Sequence, residues 1–396
     1  MELETRRRLM RGLAAPVLAV AGLSVLAAPA AGAPVGVPVT PGGEIHAWGG
    51  QPDDYEGERD FGQLGFPALA TGETYTAIAG GREHSIALTS SGRIVGVGSA
   101  PQSTAPPTPT GERFTAISAG PDYSLALTST GDVVCFGDDT SGQCSGPADS
   151  TERFTAIAAG YEHSLALTES GQARAFGSGE FDENDLPTDR TYTAIAAGEH
   201  FSLGLTSTGE VVGAGQDWAG GANTSNIHLP AAPEGQRYVA IATGESHSLA
   251  LTSDGRVVAG GYARYGQDAA PEPPEGQTFT AVAAGQYHSL ALTSDGGIVG
   301  WGKNWHGQAG EFESAPEGLR YTAIAGGDYH TLAIAAPPAQ EFEPNDCATG
   351  SASTGSLSSG LGSASSSPFS SATFGLSCTG SAVALDLGSL TAFVGS

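Results

Sequence analysis

Five histidines recur in one setting along this 396-residue chain: His84, His163, His247, His288 and His330 each stand three residues after a glycine and directly before a serine or threonine. Histidine beside a hydroxyl is the pairing of a base with a nucleophile, and five histidines also invite zinc. The repetition argues against both. Zinc needs three or four ligands about 2 Å from one point, whereas equivalent positions of a repeat protein spread along a row or a ring. The serines are explained by the same repeat. These histidines are therefore read as structural, each ring hydrogen-bonding a neighbouring strand or loop. His46, His200, His228 and His306 are isolated, and no His-Glu-x-x-His pair exists.

Carboxylates cluster in two loops, Asp53-Asp-Tyr-Glu56-Gly-Glu58-Arg-Asp60 and Glu180-Phe-Asp182-Glu183-Asn184-Asp185. Hard oxygens close together suit calcium, but neither run has the spacing of a calcium loop. Both are read as solvated, turn-forming loops, long enough to act as specificity loops on one face. Gly-x-Ser-x-Gly in an elbow setting is missing, and every glycine cluster falls at a strand end or turn, which leaves no phosphate cradle. No catalytic, cofactor-binding or metal-binding residue is assigned, and no cofactor is expected. Four cysteines form two pairs close in sequence, Cys135 with Cys144 and Cys347 with Cys378. Each pair is a candidate disulfide in an oxidising compartment. The second pair is favoured, and a buried free thiol is the alternative at Cys135.

The compartment is read from the first 33 residues. Arg6, Arg7, Arg8 and Arg11 precede an apolar stretch from Leu13 to Ala28, followed by Ala31-Gly32-Ala33. That order is an export leader, with cleavage expected after Ala33. The stretch contains Pro16 and Gly22 and is short for a membrane span. Thr5 to Arg11 resembles a twin-arginine signal, with an ordinary secretory leader as the alternative. The chain holds 16 Lys plus Arg against 42 Asp plus Glu, a net charge of −26. Phosphate affinity needs clustered cations, so a general nucleic-acid binder is excluded. Solubility is the first meaning of such acidity, and attraction to a basic partner is the functional one.

The elements that hold these residues come from internal repetition. Tyr75-Thr-Ala-Ile-Ala-Gly-Gly81 returns at Phe114, Phe154, Tyr192, Tyr238, Phe279 and Tyr321, at offsets of 39, 40, 38, 46, 41 and 42 residues. That period belongs to propeller blades. Strand alternation puts Tyr75, Ala77 and Ala79 on one face and Thr76 and Ile78 on the other. A second strand follows, as in Ser85-Ile-Ala-Leu-Thr89, then a hairpin turn such as Ser91-Gly92, whose glycine supplies a positive φ. A third strand ends on Gly, as in Ile298-Val-Gly-Trp-Gly302. Sustained 3.6-residue apolar periodicity is missing, so helix should be nearly absent. One third strand, Ile45-His-Ala-Trp-Gly49, precedes every phrase, and the last phrase lacks one. Pairing Ile45–Gly49 with the segment from His330 to Ala335 closes the ring and removes its open edges.

Gly81-Arg-Glu-His84-Ser-Ile-Ala-Leu88, its counterparts ending at Leu167 and Leu292, the Trp301-Gly302 pair and Gly307-Gln308 together resemble the regulator of chromosome condensation repeat. The resemblance covers residues 44–335 and implies a seven-bladed β-propeller. The sequence departs from the family pattern at Tyr123 and Phe201, which replace His, and keeps the third-strand Trp only as Trp48 and Trp301. Activity does not follow from fold. The resemblance points to a founding member that exchanges nucleotide on a nuclear GTPase at chromatin, which an exported acidic chain does not fit. It also points to similar exported propellers that inhibit β-lactamases by covering the active site.

The expected protein is all-β: leader 1–33, linker 34–43, a seven-bladed propeller over 44–335, and a Ser/Gly/Ala-rich tail over 336–396. The run from Ala382 to Leu387 is a candidate strand of a small β domain in that tail. Function is read as an exported, non-enzymatic, monomeric scaffold that binds an unidentified protein through loops on one face. The alternatives are a structural envelope repeat protein without a ligand, and an inhibitor of a secreted enzyme. Aromatic anchors concentrate binding energy, so Tyr55, Phe61, Trp218, Tyr262, Tyr265 and Trp305 are the candidate contacts. Packing between blades is their alternative role.

Overall fold

The computed structural model describes residues 43–50, 61–148, 150–216 and 227–338, together with the backbone of one hairpin, Leu376–Thr379 with Ala382–Leu385. The leader, most of the linker and tail, the acidic loop from Asp53 to Asp60, Tyr55, Trp218 and Cys347 lie outside the described residues, and the Cys378 side chain does too.

Seven three-stranded antiparallel sheets make the blades. Blade 1 is Tyr75–Gly80, His84–Thr89 and Ile94–Gly98. Blades 2 to 4 are Phe114–Ala119, Tyr123–Thr128 and Val133–Gly137; Phe154–Ala159, His163–Thr168 and Ala173–Gly177; and Tyr192–Ala197, Phe201–Thr206 and Val211–Gly215. Blades 5 and 6 are Tyr238–Thr243, His247–Thr252 and Val257–Gly261; and Phe279–Ala284, His288–Thr293 and Ile298–Gly302. Blade 7 joins the two ends of the repeat region: Arg320–Gly326, His330–Ala336 and then Glu44–Gly49. Ile45 pairs with Ile334, and Trp48 packs edge-on against Tyr321 and Phe312 at 5.6 and 5.1 Å. Among the described residues the only helix is the single turn Ser145–Ala148, and none is long and apolar enough to cross a membrane. The repeat region is therefore a seven-bladed β-propeller closed by its own first and last strands.

Each inner strand departs from the expected alternation. A register shift between Tyr75 and Ala77 lets Thr76 bulge out, its hydroxyl donating to the Leu88 carbonyl at 3.1 Å. The bulge turns Tyr75 onto the face of Ile78 and away from Ala77 and Ala79. The same shift recurs in all seven inner strands. Strict period-two reading fails there because an inserted residue changes the parity of every side chain before it. The result is a large-on-small fit: Ile86, Leu88, Ala77 and Ala79 of blade 1 pack against Phe114, Ile117 and Ala126 of blade 2.

Polar groups cross the same interfaces. His84 Nε2 lies 2.8 Å from Ser124 Oγ of the next blade, and that hydroxyl donates at 2.9 Å to the Gln102 carbonyl in the loop between them. Because the hydroxyl proton is committed to the carbonyl, the histidine donates from Nε2. Equivalent links join His163 to Ser202, His247 to Ser289, His288 to Thr331, and His330 back to Ser85 across the closure, at 2.7 to 3.0 Å. Tyr123 donates to the His163 carbonyl instead, and Phe201 fills its place with hydrocarbon. The glycine three residues earlier makes room: a Cβ at Gly81 or Gly327 would stand 2.2 Å from its own blade's imidazole.

Burial holds these rings neutral, moving them from the usual histidine value down to about 3 at His84, His247 and His288 and about 4 at His163 and His330. Unfolded histidine titrates near 6.5, so below that pH the unfolded chain takes up protons that the folded ring refuses. Stability is expected to be intact above pH 7 and to fall as pH drops from about 6.5 towards 4. Thermal melts across that window check it. His84→Phe, the residue found at position 201, should flatten the slope by about 1.4 kcal/mol per pH unit. Removal of residues 1–50, which takes away the closing strand, is expected to abolish the single cooperative transition in calorimetry, where an open array would merely melt earlier.

Candidate functional site

Every blade sends two kinds of loop to the same end of the ring: the turn between inner and middle strands, and the segment that leaves the outer strand. We call this end the mouth face. The opposite, hairpin face carries the tight turns, with glycine at positive φ from Gly92 to Gly296. Between the invariant glycine and the strand's first residue, each inner turn holds two residues that differ from blade to blade. They are Arg82-Glu83, Pro121-Asp122, Tyr161-Glu162, Glu199-His200, Glu245-Ser246, Gln286-Tyr287 and Asp328-Tyr329.

The first of each pair from Pro121 to Asp328 lines the central channel, and Arg82 holds the equivalent position in blade 1. Its backbone N–H donates to a carbonyl of the following blade, as in Arg82 to Pro121 at 3.2 Å, Glu199 to Glu245 at 3.1 Å and Asp328 to Gly81 at 3.0 Å. Pro121 has no N–H to give. These bonds fix the mouth without using its side chains. Arg82 lies 3.4 Å from Asp328 Oδ2 and 3.3 Å from Asp122 Oδ2, and donates to the Tyr161 hydroxyl. Burial raises Asp328 to about 7 against the pull of Arg82. Burial and the neighbouring Glu245 raise Glu199 to about 7 as well. Both carboxyls are thus poised between charged and neutral at physiological pH, and they offset part of the acid sensitivity of the five histidines.

Beside the rim, blades 5 to 7 raise an aromatic wall. Tyr265 stands 5.4 Å from Tyr287, 5.5 Å from Trp305 and 6.4 Å from Tyr262. The Lys303 ammonium is 4.5 Å from the Trp305 ring centre, 5.3 Å from Tyr287, 5.6 Å from Tyr265 and 5.7 Å from Tyr329, which is cation–π range. Tyr287 donates to Glu245, tying wall to rim, and burial raises its phenol far above the ordinary value. Trp305 is 66% exposed.

Of the expected contact residues, Tyr262, Tyr265 and Trp305 come together here. Phe61 is 41% exposed on the same face, in the loop between blades 7 and 1. Sequence reading missed Tyr287, Tyr329, Lys303 and the rim. A signal existed: the two positions before each histidine vary where the surrounding phrase does not. In the loop Glu180–Asp185, Glu183 is buried and accepts from the Phe181 N–H at 2.8 Å, as Gln143 does from Ser141 and Gln267 from Tyr265. It stands in for the repeat's glutamine. Among the described residues, no group of three or more His, Cys, Asp or Glu is placed to hold a metal. Cys135 and Cys144 form a disulfide with Cα atoms 5.2 Å apart.

The fold is a closed ring with one variable loop face. The Regulator of chromosome condensation (RCC1) repeat matches residues 114–143, 154–182, 238–267 and 279–308. Four of the seven blades, the second, third, fifth and sixth, thus match the RCC1 repeat, and the structure around them is a β-propeller. Similar solved structures include Prp20p from Saccharomyces cerevisiae, 18% identical, with TM-score 0.60, covering 76% of this chain and 92% of that one. Human WBSCR16 is 17% identical, with TM-score 0.56 and coverage of 75% and 100%. The ectodomain of the Arabidopsis thaliana receptor kinase ACR4 is 17% identical, with TM-score 0.52 and coverage of 71% and 100%. These identities establish the fold alone. No curated protein matches the chain in sequence.

Arg82→Met would strand the buried Asp328 carboxyl and is expected to cost about 3–5 kcal/mol in denaturant unfolding. Adding Asp328→Asn should recover a large part, and the double-mutant cycle reads the coupling.

Proposed function

We propose that this chain is a non-enzymatic protein-binding module, exported before it acts, and that the mouth face is where its partner docks. The observation that carries this reading is the sorting of variation. Residues that change from repeat to repeat collect at one end of the ring, whereas those that build the ring recur. A scaffold whose loops are already fixed by inter-blade hydrogen bonds loses little entropy when a partner arrives. Exposed Trp305, backed by three tyrosines, has the composition of an interface anchor.

Binding is favoured over catalysis because the five repeat histidines are buried, neutral and engaged between blades, so they are not available as surface bases. The leader and the Cys135–Cys144 disulfide support export, since disulfides persist in oxidising compartments. Prp20p is described with binding properties to Gsp1p and histones, and protein binding is the part of that description we carry to this chain.

A photo-cross-linking residue placed at position 305 on the mouth face, or at position 272 on the hairpin face, tests the reading in the full exported chain. A partner adduct is expected from position 305 and none from 272. Adducts from 272 alone, or from neither, would overturn it.

A further inference from the structure

The two ends of the ring differ in how their charges are balanced. Of the eleven cations among the described residues, eight stand at the hairpin face: Arg93, Arg113, Arg153, Arg174, Arg190, Arg237, Arg256 and Arg320. Several are paired there: Arg93 with Glu73 at 2.9 Å, Arg174 with Glu152 at 2.7 Å, Arg190 with Glu210 at 2.5 Å, Arg256 with Glu272 at 2.6 Å, and Arg153 with Asp132. At the mouth face the seven inner turns carry Glu83, Asp122, Glu162, Glu199, Glu245 and Asp328 against Arg82. Arg82 is itself spent on Asp122 and Asp328. The outer loops there add Arg264 and Lys303, and both lie against the aromatic wall: Arg264 is 5.5 Å from the Tyr265 ring centre, and Lys303 faces four rings.

We infer that the aromatic wall of Tyr265, Tyr287 and Trp305, with the carboxylate rim beside it, docks a basic segment of the partner protein, holding a lysine or arginine side chain against the rings while its charge faces Glu245. This deepens the proposed function and rests on it. The wall already accommodates two cations of its own chain at cation–π distances, so its geometry suits such groups. The Tyr287–Glu245 hydrogen bond puts a carboxylate at the edge of the same rings, the arrangement in which a long cationic side chain lays its stem on apolar surface and its head on an acid. An acidic partner would have to approach the six inner-turn carboxylates, whose one arginine is engaged, at a cost in like-charge repulsion. The hairpin face offers no such cluster of rings, and five of its arginines stand among its carboxylates in ion pairs.

Octa-arginine and octa-glutamate peptides, titrated into the full chain and followed by Trp305 fluorescence and calorimetry at about 150 mM salt, test the assignment. Octa-arginine should bind and octa-glutamate should not. A −26 protein attracts any polycation to some degree, so the deciding readouts are aromatic substitutions that leave the charge unchanged and a pair of Glu→Gln substitutions that change it equally on the two faces. Trp305→Ala or Tyr265→Ala is expected to weaken octa-arginine at least tenfold, and Glu245→Gln several-fold, while Glu272→Gln on the hairpin face changes it less than twofold. Equal weakening by Glu272→Gln and Glu245→Gln with no effect of the aromatic substitutions, or preference for octa-glutamate, would overturn the inference. If the photo-adduct from position 305 forms but its cross-linked segment lacks Lys and Arg, the mouth face remains the docking surface and the basic chemistry fails alone.

Discussion

A three-stranded sheet of this size has two apolar faces and no means of covering either by itself. In this protein every blade is covered by its neighbours on both sides, and the last neighbour of blade 7 is blade 1. The constraint on which all else depends is therefore closure. The strand Glu44–Gly49 must return to His330–Ala336 so that Tyr75, Ile78 and Ala87 find Ala323, Ala325, Leu332 and Ile334. A gap at any interface would leave the apolar faces of two blades in water.

Closure explains why the repeat phrase is so uniform. The large side chains of one blade fall on the alanines of the next, so an enlargement at Ala79 or Ala87 would meet a neighbour already in contact. The His–Ser–carbonyl links need a short residue next to the histidine and a glycine before it. Uniformity at the interfaces leaves the ring's ends as the places where sequence is free to change. One end is taken up by tight hairpins that need glycine. The other receives longer loops, and it is there that the aromatic wall and the carboxylate rim have accumulated.

The mouth also concentrates charge that the fold does not need. Backbone bonds between successive inner turns hold the mouth, so the ring does not call on the Glu199 carboxyl, whose pKa burial and the neighbouring Glu245 raise. Groups kept in such an arrangement are the usual mark of a recognition surface.

Much of this was legible in the chain itself. The seven phrases, the glycine turns and the orphan third strand Ile45–Gly49 determined a closed seven-bladed ring, because strand period, turn chemistry and repeat count are local properties. The histidines' structural role, each hydrogen-bonded to a neighbouring blade, followed from their recurrence. The bulge at Thr76 was not legible, since nothing in Tyr-Thr-Ala-Ile marks where an extra residue leaves the ladder, and it reversed the facing of Tyr75. Nor was the meeting of Tyr265, Tyr287, Lys303 and Trp305, which come from two adjacent blades and touch only because the ring brings the ends of different sheets to one side. Glu183 read as one acid among several, while its burial and its bond to Phe181 depend on the loop's path. Local periodicity thus decided what the elements are; which side chains share a surface was decided by how the elements curve around one axis.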